Sequence, residues 1–238
     1  MSLKNKNILI IGGSSGIGLA LIKHLALQEA NIFNISRNPS ADWPQGVTHI
    51  EADVMQGLGQ IENQLPAVVH GLVYSVGSIN LKPFQRLTAD DFLNDYKLNV
   101  LGATEIIRLS LKALKAANGA SIVLYSSVAA KAGMPFHASV AAAKGAVEGL
   151  TLSLAAELST SQIRVNAIAP SLTDTPLAKG LLSTDEKREA SAKRHPLGKI
   201  GTPDDIALAT QFLLSYHSGW LTGQIIGIDG GLGNLRPL

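Results

Sequence analysis

Seven short apolar runs, interleaved with segments of helical period, dictate what this chain can become. The runs are Asn7 to Ile11, Asn31 to Ser36, Val47 to Ala52, Val68 to Tyr74, Ser121 to Tyr125, Arg164 to Ile168 and Gln224 to Ile228. They are rich in β-branched residues and nearly continuous in apolar character, as strands are when helices bury both of their faces. Spacings of three and four instead mark Gly16 to Glu29, Ala89 to Ala117, Ala138 to Leu158 and Pro203 to Ser215, with Pro203 suited to a helix's first turn. In the third of these, Val140, Ala143, Val147, Leu150, Leu154 and Leu158 form one apolar face. The alternation predicts an α/β fold, a doubly wound, seven-stranded parallel sheet of Rossmann type with helices on both faces. For 238 residues of 46% hydrophobic content, one domain over residues 1–238 is expected. The only long, polar, weakly patterned stretch is 171–202, which is expected to form a substrate lid over a cleft.

Charge and composition remove several classes of function. Twenty basic and 18 acidic residues leave a net charge of +2 without long runs, so no nucleic-acid footprint is expected. There is no cysteine, hence no disulfide framework, thiolate metal site or cysteine nucleophile, which suits a cytoplasmic setting. The six histidines, His24, His49, His70, His137, His195 and His217, lack the spacing of a metal site, and no metal is expected. The start of the chain runs directly into a strand without the apolar region of a signal peptide, and Ile206 to Ile228 is too interrupted by polar residues to face lipid, so neither secretion nor a membrane partner is expected. Redox chemistry here needs a borrowed cofactor.

The first strand is followed by Gly12-Gly13-Ser14-Ser15-Gly16-Ile17-Gly18, which opens directly into a helix. Glycines allow a sharp turn and close approach to a pyrophosphate, while the amides and dipole of the helix N-terminus stabilise its charge. The spacing, three intervening residues and then one, differs from the commonest dinucleotide fingerprint, and a bland strand-to-helix connection is the competing reading. At the end of the second strand stand Ser36 and Arg37, with no carboxylate. A carboxylate there would accept from a ribose 2′-hydroxyl, whereas arginine accommodates a 2′-phosphate, so NADP(H) is favoured over NAD(H). A solvated surface arginine is the alternative.

At these residues and at others further along, the chain resembles the short-chain dehydrogenase/reductase family over nearly its whole length. Gly12, Gly16 and Gly18 match the family's turn, and Asp53-Val54 follows the third strand where an aspartate contacts adenine. Asn99 in Leu98-Asn99-Val100 matches the active-site asparagine, and Ser127 at the end of the fifth strand matches the catalytic serine. Arg164-Val165-Asn166-Ala167-Ile168-Ala169-Pro170 leads to Thr175, which matches the threonine that holds the nicotinamide carboxamide. The resemblance also assigns cofactor contacts to Ser75, Gly77, Pro170, Asn99 and Lys144, and it implies a small-molecule substrate and a homodimer or homotetramer.

Departures from the pattern bear on chemistry. Ile11 replaces the threonine before the first glycine, Tyr74-Ser75-Val76-Gly77 replaces Asn-Asn-Ala-Gly, and Pro170-Ser171 replaces Pro-Gly. Most consequentially, Lys144 is present, but the tyrosine expected four residues before it is Val140, in a register that Ser127 fixes. A tyrosine there would share a helix face with Lys144, whose charge would lower the phenol pKa and let it act as general acid. By the resemblance, Ser127 would bind the substrate oxygen, Lys144 the nicotinamide ribose, and Asn99 a proton-relaying water. Valine can neither donate nor accept. Two replacements suggest themselves: His137, just before the helix, and, more weakly, Tyr125, two residues before Ser127 on the same strand. The expectations are therefore an NADP(H)-dependent oxidoreductase acting on a carbonyl/alcohol pair with an impaired or altered proton step or, alternatively, a non-catalytic NADP(H)-binding sensor or oligomeric scaffold.

Overall fold

The computed structural model describes residues 3–235. Its strands are β1 (Asn7–Ile11), β2 (Asn31–Ser36), β3 (Thr48–Glu51), β4 (Gly71–Tyr74), β5 (Ala120–Tyr125), β6 (Ile163–Pro170) and β7 (Ile225–Ile228). They form one seven-stranded parallel sheet in the order β3-β2-β1-β4-β5-β6-β7. The helices are α1 (Gly16–Leu27), α2 (Ala89–Tyr96), α3 (Gly102–Ala116), α4 (Ala138–Leu158), α5 (Asp185–Lys193) and α6 (Pro203–Leu214).

Side chains alternate along each strand, so β1 divides its apolar residues between two layers. Leu9 and Ile11 join a core cluster with Ile106 of α3 and Val147 and Ala155 of α4, whereas Ile8 and Ile10 pack with Leu21 and Leu25 of α1 and Ile206 and Leu213 of α6. Strand order reverses between β1 and β4, where the crossovers leave a crevice at the C-terminal ends of the strands. Register brings the site together there. Ile11 pairs with Ile35 on one side and Tyr74 on the other, which places the glycine turn between Arg37 and Ser75. Tyr125 pairs with Ile168, and Ser126 N–H donates to Ile168 O at 2.8 Å, so Ser127 emerges beside Pro170 and Ser171.

Three elements differ from the sequence expectation. The run Val68 to Tyr74 becomes regular only at Gly71, because side chains intervene in the ladder: Asn7 Nδ2 donates to Val68 O and Asn7 N–H donates to His70 Nδ1. The expected helix over Ala89 to Ala117 is interrupted by a π-helical turn, Lys97–Leu101, which carries Asn99. Tyr74 Oη donates to Leu98 O in this turn, and Gly102 makes room for the ring, since a Cβ there would lie 2.3 Å from Tyr74 Oη. The third is α5, within the weakly patterned stretch 171–202. Its polar sequence buries only Ser191, so no apolar period announces it, and its N-terminus is fixed by Thr184 accepting from Lys187 N–H at 3.3 Å. No helix among the described residues is long and apolar enough to cross a membrane.

Candidate active site

At the switch point lies a cleft of about 560 Å³, bounded by the glycine turn from Gly12 to Gly18, by Ser36 and Arg37, by Asp53 and Val54, and by Ser75 and Gly77. The turn is built for close approach. Gly12 has φ +90°, and a Cβ on Gly18 would stand 2.4 Å from the Gly12 carbonyl oxygen. Ser15 is the N-cap of α1 yet makes no side-chain capping bond, and no acidic residue occupies the helix's first turn. Unspent amides, an uncommitted hydroxyl and a positive helix end therefore face the cleft, and they fit the pyrophosphate of a dinucleotide. Arg37 is exposed at the far rim, whereas the Ser36 hydroxyl is already engaged, accepting from Asn34 Nδ2 and donating to Asn38 O.

A second cavity of about 330 Å³ continues from the first, sharing Ser75, Gly77 and Thr175 with it. Ser127, Val140, Lys144, Pro170 and His137 line it. Ser127 Oγ accepts from Ala129 N–H at 3.2 Å, which leaves its own proton free for a substrate oxygen. Lys144 is only 7% exposed, donates from Nζ to Tyr125 O at 2.8 Å, and is pulled down to about 8 by burial, an effect that the charge of Asp95 opposes. Asn99 does not line the cavity itself. Its Nδ2 donates to Asp95 O at 2.8 Å, while its buried Oδ1 has no partner among the described residues. A Cβ on Gly77 would lie 3.6 Å from both Asn99 Oδ1 and Lys144 Nζ, so the gap at this glycine opens onto both groups.

Val140 is 7% exposed, one turn of α4 before Lys144, and offers the cavity only apolar surface. Of the two replacements read from the sequence, Tyr125 is spent elsewhere. Its buried hydroxyl lies 2.6 Å from Thr210 Oγ1, which itself donates to Ile206 O, and burial pushes the phenol well above its ordinary range. His137 lines the cavity with Nδ1 2.7 Å from Pro135 O.

Sequence reasoning missed several supporting groups. Asn34, fully buried in β2, accepts from Gly13 N–H at 2.8 Å, and Trp43 Nε1 donates to Gly13 O at 2.8 Å, so the phosphate turn is clamped from both sides. A polar residue inside an apolar strand is the signal that could have flagged Asn34, since buried amides are retained where they are bonded. Asp95, 3% exposed, accepts from Ser78 Oγ at 2.6 Å. His195, 3% exposed, pairs with Ser171 across 24 positions, a contact that no local pattern reveals.

A nucleotide cleft at a sheet's switch point, opening into a cavity that holds a serine and a lysine, is the arrangement of a Rossmann-type oxidoreductase. Comparison with known proteins narrows the class. The family profile described as enoyl-(acyl carrier protein) reductase matches residues 12–233. A tropinone reductase homolog of Arabidopsis thaliana is 31% identical over 97% of this chain and 94% of its own. A short chain dehydrogenase family protein from Francisella tularensis superposes with a TM-score of 0.91 at 29% identity, covering 97% of this chain and all of that one. A tyrosine-to-phenylalanine variant of ElxO with NADPH bound gives a TM-score of 0.86 at 26% identity, over 96% of this chain and 98% of that one. The chain belongs to the short-chain dehydrogenase/reductase family, and it is an oxidoreductase of that nicotinamide-dependent type.

Proposed function

We propose that this protein is an NADP(H)-dependent oxidoreductase that interconverts a small carbonyl compound and its alcohol, with a proton step that does not use a tyrosine. The observation that carries the reading is that Ser127 and Lys144 line one cavity continuous with the dinucleotide cleft, with the orphaned Asn99 Oδ1 behind Gly77 at its edge. The nicotinamide cofactor supplies or accepts the hydride. The turn from Gly12 to Gly18, with Ser14, Ser15 and Ile17, holds the pyrophosphate, Arg37 pairs with the 2′-phosphate, and Asp53 and Val54 flank the adenine. Ser75, Gly77, Pro170 and Thr175 position the nicotinamide end. Ser127 donates to the substrate oxygen, Lys144 binds the ribose, and Asn99 holds a water across the gap at Gly77. Because Val140 has no proton to give, another group of the cavity must serve, and of the two named by the sequence His137 is the one whose side chain is not tied to Thr210.

Residues 171–202 form the lid. The segment is tied at its base by the Thr173–Gly201 bridge and by Arg188 donating twice to Asp174, at 2.7 and 3.2 Å. We read residues 1–238 as one cofactor-binding domain, cytoplasmic in keeping with its lack of cysteine. We read the assembly as a homodimer or homotetramer. Gly145 and Gly149 on the outer face of α4 have open space where a Cβ would stand, so they serve no packing within the chain. Val140 itself favours a second reading, in which the protein binds NADP(H) without turnover as a sensor or scaffold.

Fluorescence titration with NADPH and NADH, followed by NADPH oxidation over a panel of aldehydes and ketones, tests the proposal. NADPH is expected to bind more tightly than NADH. Arg37→Ser is expected to weaken NADPH about 10- to 100-fold, the loss of one charge-assisted bond, and to leave NADH unchanged. Equal affinity for the two cofactors in the unaltered protein contradicts the cofactor assignment, and NADPH binding with no turnover selects the second reading.

A further inference from the structure

His195 lines the cavity with a geometry that a merely solvated histidine does not have. Its Nδ1 lies 2.8 Å from Ser191 O, a carbonyl that can only accept, so Nδ1 carries the proton. Its Nε2 lies 2.8 Å from Ser171 Oγ, and in the neutral ring this nitrogen accepts from that hydroxyl. The ring is held on several sides. His195 N–H donates to Ala192 O at 2.9 Å, and the Gly230 turn packs against its side chain, for a Cβ on Gly230 would lie 3.4 Å from His195 Cβ. Both Ser171 and His195 line the same cavity as Ser127, Val140 and Lys144. Ser171 directly follows Pro170 at the end of β6, the strand hydrogen-bonded to β5, so it stands about one strand spacing, ~5 Å, from the line of Ser127. A hydroxyl whose proton is already directed at a buried imidazole, next to the serine that would hold the substrate oxygen, has the form of a proton relay.

We propose that Ser171 and His195 carry the proton that Val140 cannot, Ser171 touching the substrate oxygen and His195 acting through it as a positioning and proton-accepting residue. The proposal rests on the oxidoreductase reading above and assigns its proton step to this pair rather than to His137, which sits in a loop between the exposed Phe136 and α4 with its Nδ1 turned to the backbone oxygen of Pro135. In the oxidation of an alcohol, the substrate C–H bond breaks with its electron pair, which leaves as hydride for the nicotinamide. The substrate O–H bond breaks and its pair becomes the second bond of the carbonyl. Its proton passes to Ser171 Oγ as the Ser171 proton passes to His195 Nε2, and the imidazolium later releases that proton to water. Reduction runs the same path in reverse, with the proton drawn from His195.

The test combines two readouts on the intact protein. In a long-range 15N–1H spectrum without ligands, His195 is expected to show a protonated Nδ1 and a hydrogen-bonded, unprotonated Nε2 whose shift changes in Ser171→Ala. A ring protonated at Nε2 alone overturns the relay. Turnover is then compared for the unaltered protein, Ser171→Ala, and His195→Asn, whose amide can still donate to Ser191 O. Each variant is expected to lose about 100-fold in kcat with KM and NADPH affinity within about twofold, as for removal of one positioned proton donor, and a Val140→Tyr substitution added to either is expected to recover the rate. Undiminished turnover in both variants, or loss confined to His137→Gln, overturns the relay and leaves the oxidoreductase reading standing. A silent unaltered protein alongside an active Val140→Tyr also overturns the relay, by showing that the substrate panel is adequate and the native proton path missing. Silence from both overturns the oxidoreductase reading and the relay with it.

Discussion

Lys144 shows how much of this site depends on single groups in unusual surroundings. Its ammonium is buried beneath Tyr125 O and is pulled from an ordinary 10.5 down to about 8. The folded chain therefore sheds this proton before the unfolded chain does. Between pH about 8 and 10.5 the unfolded state binds more protons, so this group makes stability rise with pH through that window, and below about 8 the folded state bears the full desolvation penalty. Lys144→Met is expected to gain on the order of 3 kcal/mol over the unaltered protein at pH 7, and to lose most of that advantage by pH 10.5, in paired denaturant titrations. A pH-independent difference contradicts this account of Lys144. The same variant is expected to bind cofactor poorly, since the group that destabilises the fold is the one that faces the site. At this scale the sequence was legible wherever a residue type stands at a fixed local spacing. Ser127, Lys144 and the valine between them are visible in that way, whereas the Ser171–His195 pair and the Asp95 charge beside Lys144 arise from chain segments that meet only in three dimensions.

At the scale of elements, the turn between β1 and α1 is where backbone geometry matters most. Gly18 lies against the Gly12 carbonyl with no space for a methyl group, so Gly18→Ala must push the turn apart. An overpacked site of this kind costs about 1–3 kcal/mol. The displaced amides should cost at least tenfold in NADPH affinity, measured by melting temperature and cofactor titration together. Unchanged NADPH affinity would mean that the turn does not approach the cofactor. The strands and the helices that bury one face were legible because burial imposes a period, and α4 has the bounds that its pattern implies, Ala138–Leu158. The interruption at Lys97–Leu101 was not legible, because Tyr74 and Gly102 impose it from a distance. Nor was α5, which buries almost nothing and is held by its cap and by the pairing of Arg188 with Asp174.

For the whole molecule, the two faces of the sheet are covered, but among the described residues large apolar side chains stay exposed at the β7 end. β7 is an edge strand, and next to it Leu208 and Phe212, one turn apart on α6, are 52% and 44% exposed, with Tyr216 at 70% and Trp220 at 99%. A patch of this kind is what a second copy would cover. Trp220→Glu combined with Phe212→Glu is expected to halve the native mass seen by light scattering while leaving the far-ultraviolet spectrum unchanged. A monomeric unaltered protein would contradict the homo-oligomer.

If Ser127 and Lys144 serve hydride transfer as proposed, the proton must come from a group other than Val140. NADPH oxidation over aldehydes and ketones by the unaltered protein beside Val140→Tyr decides this. Turnover by the unaltered protein, not raised by the added phenol, is the predicted result. Silence from the unaltered protein with activity gained in Val140→Tyr would contradict it, leaving a complete cofactor site that lacks only a proton.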